Sequence, residues 1–391
     1  MLQCEVNARE TAEKMLEGED ILANIRALRP SLQMRGDEID ELRRLPDDIV
    51  ASLRRAGVFR MMMPRIWGGP EMNPVQINEA LEELAVGNAA AAWCAMIQMD
   101  GGLYSGWLDD SVARRMYTQL DMPTSTVIRP LGRARKVDGG YIVNGRWPFA
   151  SGCCHADWFA GGCFVLERDG STQATDASGA PLFKMIIARR EEFVVHDTWH
   201  TIGLRGTGSN DVEAIDLHVP AERVFDFDTP PRDGALYSWP AMLCAKIPGV
   251  ALGIARQAIE TVSAAMREKK EKSEMVSLAV ADAQTLYACA RAYLHESLGA
   301  LWRRLTAGQL PDDKERVAIY LSRAHAFQAS RQAVQLMFDA YGGGAIYAKK
   351  STLDRNLRDI NTACQHFMAQ RKAQQAAGGW MLGVLEPTGF L

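Results

Sequence analysis

The feature that most constrains this chain is a central stretch of short β-type segments, from about residue 123 to about residue 228. The segments are rich in β-branched and aromatic residues, as in YIVNGRWPFASG and VEAIDLHVP. Turn-forming pairs separate them, among them Asn144-Gly145, Asp169-Gly170 and Ser178-Gly179. Strand-like runs punctuated in this way are typical of hairpins. The pattern predicts an antiparallel β-domain of about 100 residues, a barrel or a sandwich.

Helix-type sequence flanks this stretch on both sides. Near the N-terminus Ile21, Ile25 and Leu28 recur at helical spacing,. After residue 239 four long segments contain few helix breakers, as in a helical bundle: 247–266, 274–307, 312–340 and 354–378,. We therefore expect an α+β fold with three domains: an N-terminal α-helical domain (1–122), a central antiparallel β-domain (123–232) and a C-terminal four-helix-bundle domain (233–391).

Composition and spacing argue against several classes of protein. The 391 residues carry a net charge of −4 at pH 7 without a visible basic stripe, so we expect no nucleic-acid partner. No stretch of 18 or more uncharged apolar residues occurs, so we expect no membrane span. His196 and His200 lack a third ligand, so no metal site is expected. The eight cysteines show no CxxC spacing and the N-terminal segment is charged, which favours a cytoplasmic location.

Two segments and one histidine are candidates for a site, each with a purely structural alternative. No GxGxxG follows a predicted strand, and GxxxxGK[ST] and GxSxG do not occur,. The segment 147–158 (WPFASGCCHADW) is either a turn with half-buried rings or a wall for a flat aromatic ligand, with Ser151 as a hydrogen-bonding group. The segment 203–209 (GLRGTGS) is either an ordinary loop or an anion cradle. His366 lies on a predicted helix, where a lone histidine is more often structural.

Taken together, these motifs resemble the acyl-CoA dehydrogenase superfamily. The resemblance rests on the α–β–α order and on YIVNGRWPFASG followed by HADW, GLRGTGSNDV, YGGGAIY and LRDI. Dehydrogenases of that superfamily carry a glutamate base shortly after the Arg-Asp motif. Here Arg358-Asp359 is followed by INTACQHF, with no acidic residue until Glu386. The chain is therefore similar to the flavin-dependent monooxygenase branch, whose members include oxygenase components that act on 4-hydroxyphenylacetate or a steroid-derived phenol.

This resemblance implies a reaction and its partners. Oxygenase components of that branch take reduced FMN or FAD from a separate NAD(P)H–flavin reductase, form a C4a-hydroperoxyflavin with O₂ and hydroxylate an aromatic ring. Apolar walls keep such a flavin dry. We expect a small aromatic substrate of the phenol or indole type. We also expect a homotetramer, or at least a dimer, in which the C-terminal helices complete the flavin site.

The resemblance also implies roles for individual residues. His366 is expected to be the catalytic base or to support the peroxide, because a histidine titrates near neutrality. Ser151 is expected to hydrogen-bond near flavin N5, and Trp147 to line the flavin ring. The other expected flavin contacts, some of them from a neighbouring subunit, are Arg205, Thr207, Arg267, Gly343 and Gly344.

One departure from the family pattern bears on the substrate. Phenol hydroxylases of this branch tend to have a substrate-contacting histidine after the Trp93 helix, where this chain has Asp100. Trp93 and Asp100 are therefore the expected substrate contacts, with Asp100 accepting an N–H from an indole-like ring or an amine. The signature that grips the adenosine half of FAD is reduced to Arg267, so FMN can suffice.

Two other classes stay open at this stage. The chain is an acyl-CoA dehydrogenase or oxidase if a glutamate elsewhere supplies the base, for example Glu260 on an earlier helix. A catalytically silent binding or scaffold protein with the same fold is the third class. Tight binding of oxidised FAD that an acyl-CoA bleaches would distinguish the dehydrogenase.

Overall fold

The computed structural model describes residues 15–228, 230, 232–269, 273–348 and 350–385. The N-terminal part of the described chain is helical. Its α-helices are α1 (Gly18–Met34), α2 (Gly36–Leu42), α3 (Asp47–Arg55), α4 (Pro74–Gly87), α5 (Ala89–Gln98), α6 (Asp100–Tyr104) and α7 (Asp110–Met116).

Asn88 separates α4 from α5 within one Ala-rich segment. Its backbone is extended, with φ −161° and ψ 122°, and its Oδ1 accepts the N–H of Ala91 at 3.0 Å. An asparagine in this position caps the start of a helix and satisfies one of its free N–H groups. The break lets α5 take its own direction, in which it packs against the central sheet.

The central part of the chain forms one seven-stranded sheet. Its strand order is β5-β6-β2-β1-β3-β4-β7. The strands are β1 (Thr124–Val137), β2 (Gly140–Trp147), β3 (Trp158–Leu166), β4 (Phe183–Arg189), β5 (Val194–His196), β6 (Asp211–Pro220) and β7 (Val224–Phe225).

This sheet is mixed, which corrects the prediction of an antiparallel domain. β1 and β3 run parallel, with Thr124 opposite Trp158 and Arg135 opposite Leu166, whereas the other strand pairs are antiparallel. β2 returns along β1 and ends at the edge of the sheet where β1 begins. The connection 148–157 stays at that edge, so β3 starts beside the start of β1 and has to run in the same direction.

Trp147 lies at the centre of the β-domain core. Its side chain is fully buried, its Nε1–H donates to the carbonyl oxygen of Gly162 at 2.9 Å, and its ring packs on Phe159 with centroids 5.6 Å apart. A Cβ atom at Gly132 would lie 2.4 Å from the indole. The structure therefore places Trp147 in the core rather than along a ligand-binding surface, which corrects its predicted role at the flavin ring.

Replacing Trp147 by phenylalanine tests this core role. We expect the free energy of unfolding to fall by about 1–3 kcal/mol, because the variant loses the hydrogen bond to Gly162 and part of the ring volume. Urea denaturation measures the loss. Flavin affinity of the folded variant should equal that of the wild type, and a selective loss of flavin binding at unchanged stability would contradict the core assignment.

Helices return after the sheet. They are α8 (Met242–Ala245), α9 (Pro248–Lys269), α10 (Glu274–Thr306), α11 (Asp313–Tyr341), α12 (Leu353–Ala363) and α13 (Arg371–Met381). Met242–Glu268 includes a stretch long and apolar enough to cross a membrane, but 94% of its apolar window is buried inside the protein. α9 packs against α4 and α11, so the two helical blocks share one core. The fold is α+β, as predicted, while the three domain boundaries stay a prediction.

A turn separates α12 from α13, where the sequence predicted one helix over 354–378. The N–H of His366 donates to the carbonyl oxygen of Ala363, and the N–H of Ala369 donates to that of His366. Met368 and Ala369 are buried in the turn, while Phe367 is 67% exposed. His366 therefore lies in a tight turn, not on a helix.

Candidate active site

Two loops and two helical segments meet at the edge of the sheet where β1 and β3 begin. Gln98, at the end of α5, donates its Nε2–H to the carbonyl oxygen of Gly152 at 3.1 Å. The N–H of Gly152 donates to the carbonyl oxygen of Thr207 at 2.9 Å. Cys94 Sγ lies 3.6 Å from the same oxygen. These bonds join α5, the loop 148–157 and the loop 203–210 into one cluster, and α12 packs against α5 beside it.

Three buried hydroxyl groups form a directed hydrogen-bond chain in this cluster. Thr207 Oγ1 donates to the carbonyl oxygen of Leu204 at 2.8 Å and lies 2.6 Å from Ser209 Oγ. Ser209 Oγ lies 2.8 Å from Ser151 Oγ. Each hydroxyl has one hydrogen, so Ser209 donates to Thr207 and Ser151 donates to Ser209. The Ser151 oxygen is left with lone pairs that accept a hydrogen bond from another donor.

A buried amide and imidazole support the loop that carries Ser151. Gln98 Oε1 lies 2.8 Å from His155 Nε2, and Gln98 is fully buried. Burial, reinforced by Arg54 and Arg44, lowers the pKa of His155 to about 3. The ring is therefore neutral at pH 7 and donates its Nε2–H to Gln98. The role of Gln98 could not be predicted, because no motif marks a buried glutamine that bridges two segments.

His366 and Trp93, which the sequence assigned to the base and the substrate, lie side by side. Their rings meet edge to face, with centroids 5.6 Å apart and planes at 74°. Burial, reinforced by the charges of Arg323 and Lys246, lowers the pKa of His366 to about 4. The imidazole is therefore neutral at pH 7 and is able to accept a proton.

Asp100 forms an internal ion pair. The prediction that it accepts a hydrogen bond from a substrate N–H is therefore wrong. Its Oδ1 lies 2.6 Å from Lys246 Nζ, and both side chains are 2% exposed. Lys246 also donates to the carbonyl oxygen of Leu243 at 2.8 Å. Burial raises the pKa of Asp100 to about 6, and the Lys246 charge opposes the rise. No sequence motif marks this pair, because Lys246 belongs to the C-terminal block.

Comparison with known proteins shows what this chain is similar to. Residues 245–371 match the model of the acyl-CoA dehydrogenase C-terminal domain. The oxygenase subunit HsaA of a flavin-dependent monooxygenase from Rhodococcus jostii (strain RHA1) is 28% identical over 87% of this chain and 92% of its own length. Indole-3-acetate monooxygenase from Pseudomonas putida is 27% identical over 90% and 91%. The crystal structure of 3-HSA hydroxylase from Rhodococcus sp. RHA1 superposes with a TM-score of 0.87 at 26% identity, covering 95% of this chain and 99% of the other. Along most of its length the chain is therefore similar to flavin-dependent monooxygenases, and its C-terminal part matches the acyl-CoA dehydrogenase family.

Arg205 has a structural role in the fold, and its predicted flavin contact stays a prediction. Its Nε–H donates to the carbonyl oxygen of Asp40 at 3.1 Å, and its Nη1 donates to that of Thr201 at 3.3 Å. The guanidinium thereby fastens the loop 203–210 to α2. Asp359 holds the same loop from α12, because its Oδ1 accepts the N–H of Leu204 at 2.6 Å.

An exposed apolar rim borders the loops of this cluster. Phe149, Ile202 and Phe367 are 67–69% exposed and are neighbours in sequence of the loops and the turn just described. Phe149 has a positive φ of 65°, which is uncommon for a residue with a large side chain, and its ring meets Trp199 edge to face at 6.1 Å. Exposed apolar patches of this kind mark ligand or protein contact surfaces.

Arg267 and the pair Gly343-Gly344 lie apart from this cluster. Arg267 and Gly343 are exposed and Gly344 is half-buried. Within the part of the chain that the structure describes, no hydrogen bond or ion pair links Arg267 to the cluster, and Gly343 faces open space. Their predicted role as flavin contacts from a neighbouring subunit stays a prediction.

Glu260 does not have the surroundings of a free base. Its carboxylate forms ion pairs with Arg29 and Arg256, and the Arg256 Nε–H donates to Glu260 Oε1 at 2.8 Å. A carboxylate held between two guanidinium groups is engaged in ion pairs and does not face a substrate site. The structure therefore disfavours the acyl-CoA dehydrogenase alternative, as does the similarity to monooxygenases.

Proposed function

We propose that the chain is the oxygenase component of a two-component flavin-dependent monooxygenase that hydroxylates a small aromatic substrate of the phenol or indole type. The observation that carries this proposal is the contact of a half-buried, neutral His366 with Trp93 on α5. The same helix holds the loops of the hydroxyl chain that ends at Ser151, through Cys94 and Gln98. The monooxygenase relatives support it, since one of them acts on indole-3-acetate by its name.

The described residues fit a reduced flavin. Ser151 Oγ has acceptor capacity to spare, Thr362 Oγ1 is buried without a hydrogen-bond partner, and the apolar rim offers surface to a flat ring. Bound reduced flavin would supply the electrons that activate O₂. Either reduced FMN or reduced FAD meets these requirements. Because the chain would receive its flavin already reduced, the proposal requires a separate NAD(P)H–flavin reductase as a partner.

His366 is the candidate proton acceptor. A phenol or an indole gains electron density at its ring carbons as its O–H or N–H proton shifts toward an acceptor, which assists the simultaneous attack on an electrophilic oxygen. A neutral imidazole within a dry site performs this transfer. Trp93 fixes the orientation of the imidazole by its edge-to-face contact,.

The stopped-flow experiment that tests this function needs no aromatic substrate. The protein with reduced FMN or FAD is mixed with O₂, and absorbance is followed for a transient species that is neither reduced nor oxidised flavin. We expect such a species to persist before oxidised flavin forms, because the proposed function requires a site that keeps water from the flavin. Single-step reoxidation at the rate of free flavin, with both flavins, would refute the proposal.

Ser151→Ala tests the flavin contact directly. Reduced flavin carries an N–H at N5, whereas oxidised flavin has only a lone pair there, so an acceptor at Ser151 favours the reduced form. We expect the alanine variant to bind reduced flavin about 2- to 10-fold more weakly, with little change for oxidised flavin. Anaerobic equilibrium dialysis measures both dissociation constants.

Ser209→Val sharpens the test by removing the acceptor to which Ser151 donates. The Ser151 hydroxyl is then free to donate, so the preference for reduced over oxidised flavin should shrink. Ser178→Ala, in an exposed turn of the β-domain, is the matched control and should change neither constant. An equal weakening of both flavin forms in Ser151→Ala would contradict the assignment.

We further propose a homotetramer. Large apolar side chains are exposed on the C-terminal helical block, which offers a surface for a second copy: Met275, Leu278, Met381, Leu382 and Val384,. Analytical ultracentrifugation tests this state, and a fully active monomer would contradict it. The cytoplasmic location stays a prediction of the sequence.

A further inference from the structure

Arg323 is a buried cation with an unsatisfied edge. It lies on α11, its side chain is 2% exposed, and its Nε and Nη2 atoms are buried without hydrogen-bond partners. Its guanidinium stacks over the ring of Tyr320 at 4.3 Å. It forms an ion pair with none of the carboxylates in the described ranges.

The charges around Arg323 do not balance. Lys246 and Asp100 neutralise each other across 2.6 Å, and His366 is uncharged at pH 7. An arginine stays protonated even when it is buried. The centre made of Asp100, Lys246, Arg323 and His366 therefore carries one uncompensated positive charge, which is unfavourable in an interior unless an anion accompanies it.

This charge lies on the helix that packs against the segment leading into the turn of His366, since Cys364 Sγ lies 3.8 Å from the carbonyl oxygen of Phe327, one helical turn beyond Arg323. Of the charged groups that lower the pKa of His366, Arg323 has the largest effect and Lys246 the next. Arg323 and Lys246 also oppose the rise in the pKa of Cys244, on the short helix that leads to Lys246. An anion bound by Arg323 is therefore adjacent to the His366–Trp93 pair.

The two unsatisfied atoms identify the anion. Nε and Nη2 form one edge of the guanidinium plane and direct two parallel N–H groups outwards. A carboxylate presents two oxygens at the matching spacing and accepts both bonds. We propose that Arg323 binds a carboxylate of the substrate, so that the ring hydroxylated at this site belongs to an aromatic acid. This inference rests on the proposed function and narrows its substrate class.

Binding of matched acid–amide pairs tests the inference without turnover. The pairs are phenylacetate, p-hydroxyphenylacetate and indole-3-acetate, each with its neutral amide, titrated calorimetrically into anaerobic protein loaded with reduced flavin. At least one acid should bind at least about tenfold more tightly than its amide. Arg323→Met should remove that preference and leave the affinity for the amide unchanged, while Arg323→Lys should keep part of it.

Arg331→Met, at an exposed position of the same helix, is the matched control and should retain the full preference. If no acid binds, if the amides bind as tightly as the acids, or if Arg323→Met weakens acid and amide equally, the inference is overturned. The wild-type comparison stands even if the methionine variant fails to fold. If the stopped-flow transient forms but acids bind no more tightly than amides, only this inference fails. If acids bind more tightly but no transient forms, only the proposed function fails.

Discussion

His366→Ala is expected to uncouple oxygen consumption from hydroxylation. Loss of the proton acceptor leaves the aromatic ring a poorer nucleophile, and general bases typically contribute about 10²–10⁴-fold in rate. Product formation should therefore fall at least about 10²-fold, while O₂ is still consumed and H₂O₂ accumulates. Product, peroxide and O₂ are measured in the same reaction.

The melting temperature of the variant distinguishes a catalytic role of His366 from a purely structural one. If the ring served only to pack against Trp93, its loss would lower the melting temperature and would reduce coupled and uncoupled turnover alike. His218→Ala, at an exposed position on β6, is the control and should leave coupling and melting temperature unchanged. Normal coupling in the His366 variant would remove this residue from the mechanism.

Asp100→Asn is expected to be among the most destabilising single changes in the protein. The substitution leaves the Lys246 ammonium buried at 2% exposure without its counterion. Breaking a buried ion pair by removing one partner typically costs about 3–5 kcal/mol. Urea denaturation at pH 7 should show a loss of unfolding free energy in this range, with an unchanged dependence on denaturant.

The double variant Asp100→Leu with Lys246→Met provides the matching test. Replacing both charges by apolar groups removes the uncompensated ion, so most of the lost stability should return. Asp48→Asn, at the exposed surface, should leave the melting temperature unchanged. A double variant no more stable than Asp100→Asn would show that the pair is not the source of the effect.

Much of the architecture was predictable because local pattern encodes it. Alternating β-type runs with Asn-Gly and Asp-Gly turns fixed the position of the sheet, and long stretches without breakers fixed the flanking helices. The mixed strand order was not predictable, because parallel pairing of β1 with β3 depends on where the loop 148–157 runs. The turn at His366 was missed for a similar reason, since burial of Met368 and Ala369 in the core redirects the chain.

Part of the candidate site was also predictable from local sequence, and part was not. Ser151, Thr207 and Ser209 stood out because their two segments are dense in hydroxyls and glycines, and the structure joins them in one hydrogen-bond chain. Trp147 and Arg205 were placed at the flavin by motif position. Tertiary packing encloses the indole within the sheet core instead. It also joins the Arg205 guanidinium to backbone carbonyls of α2 and its neighbouring loop, a role that the motif did not reveal.

The sequence by itself determined the order of helices and strands and the resemblance to flavin-dependent monooxygenases, since both reside in short contiguous patterns. Only the tertiary structure decided which charges meet. Asp100 pairs with Lys246, and Arg323 keeps an unsatisfied edge beside His366. The ionisation and the hydrogen-bonding capacity of a buried group depend on its surroundings. Those surroundings come from segments far apart in the chain, so no local pattern reveals them.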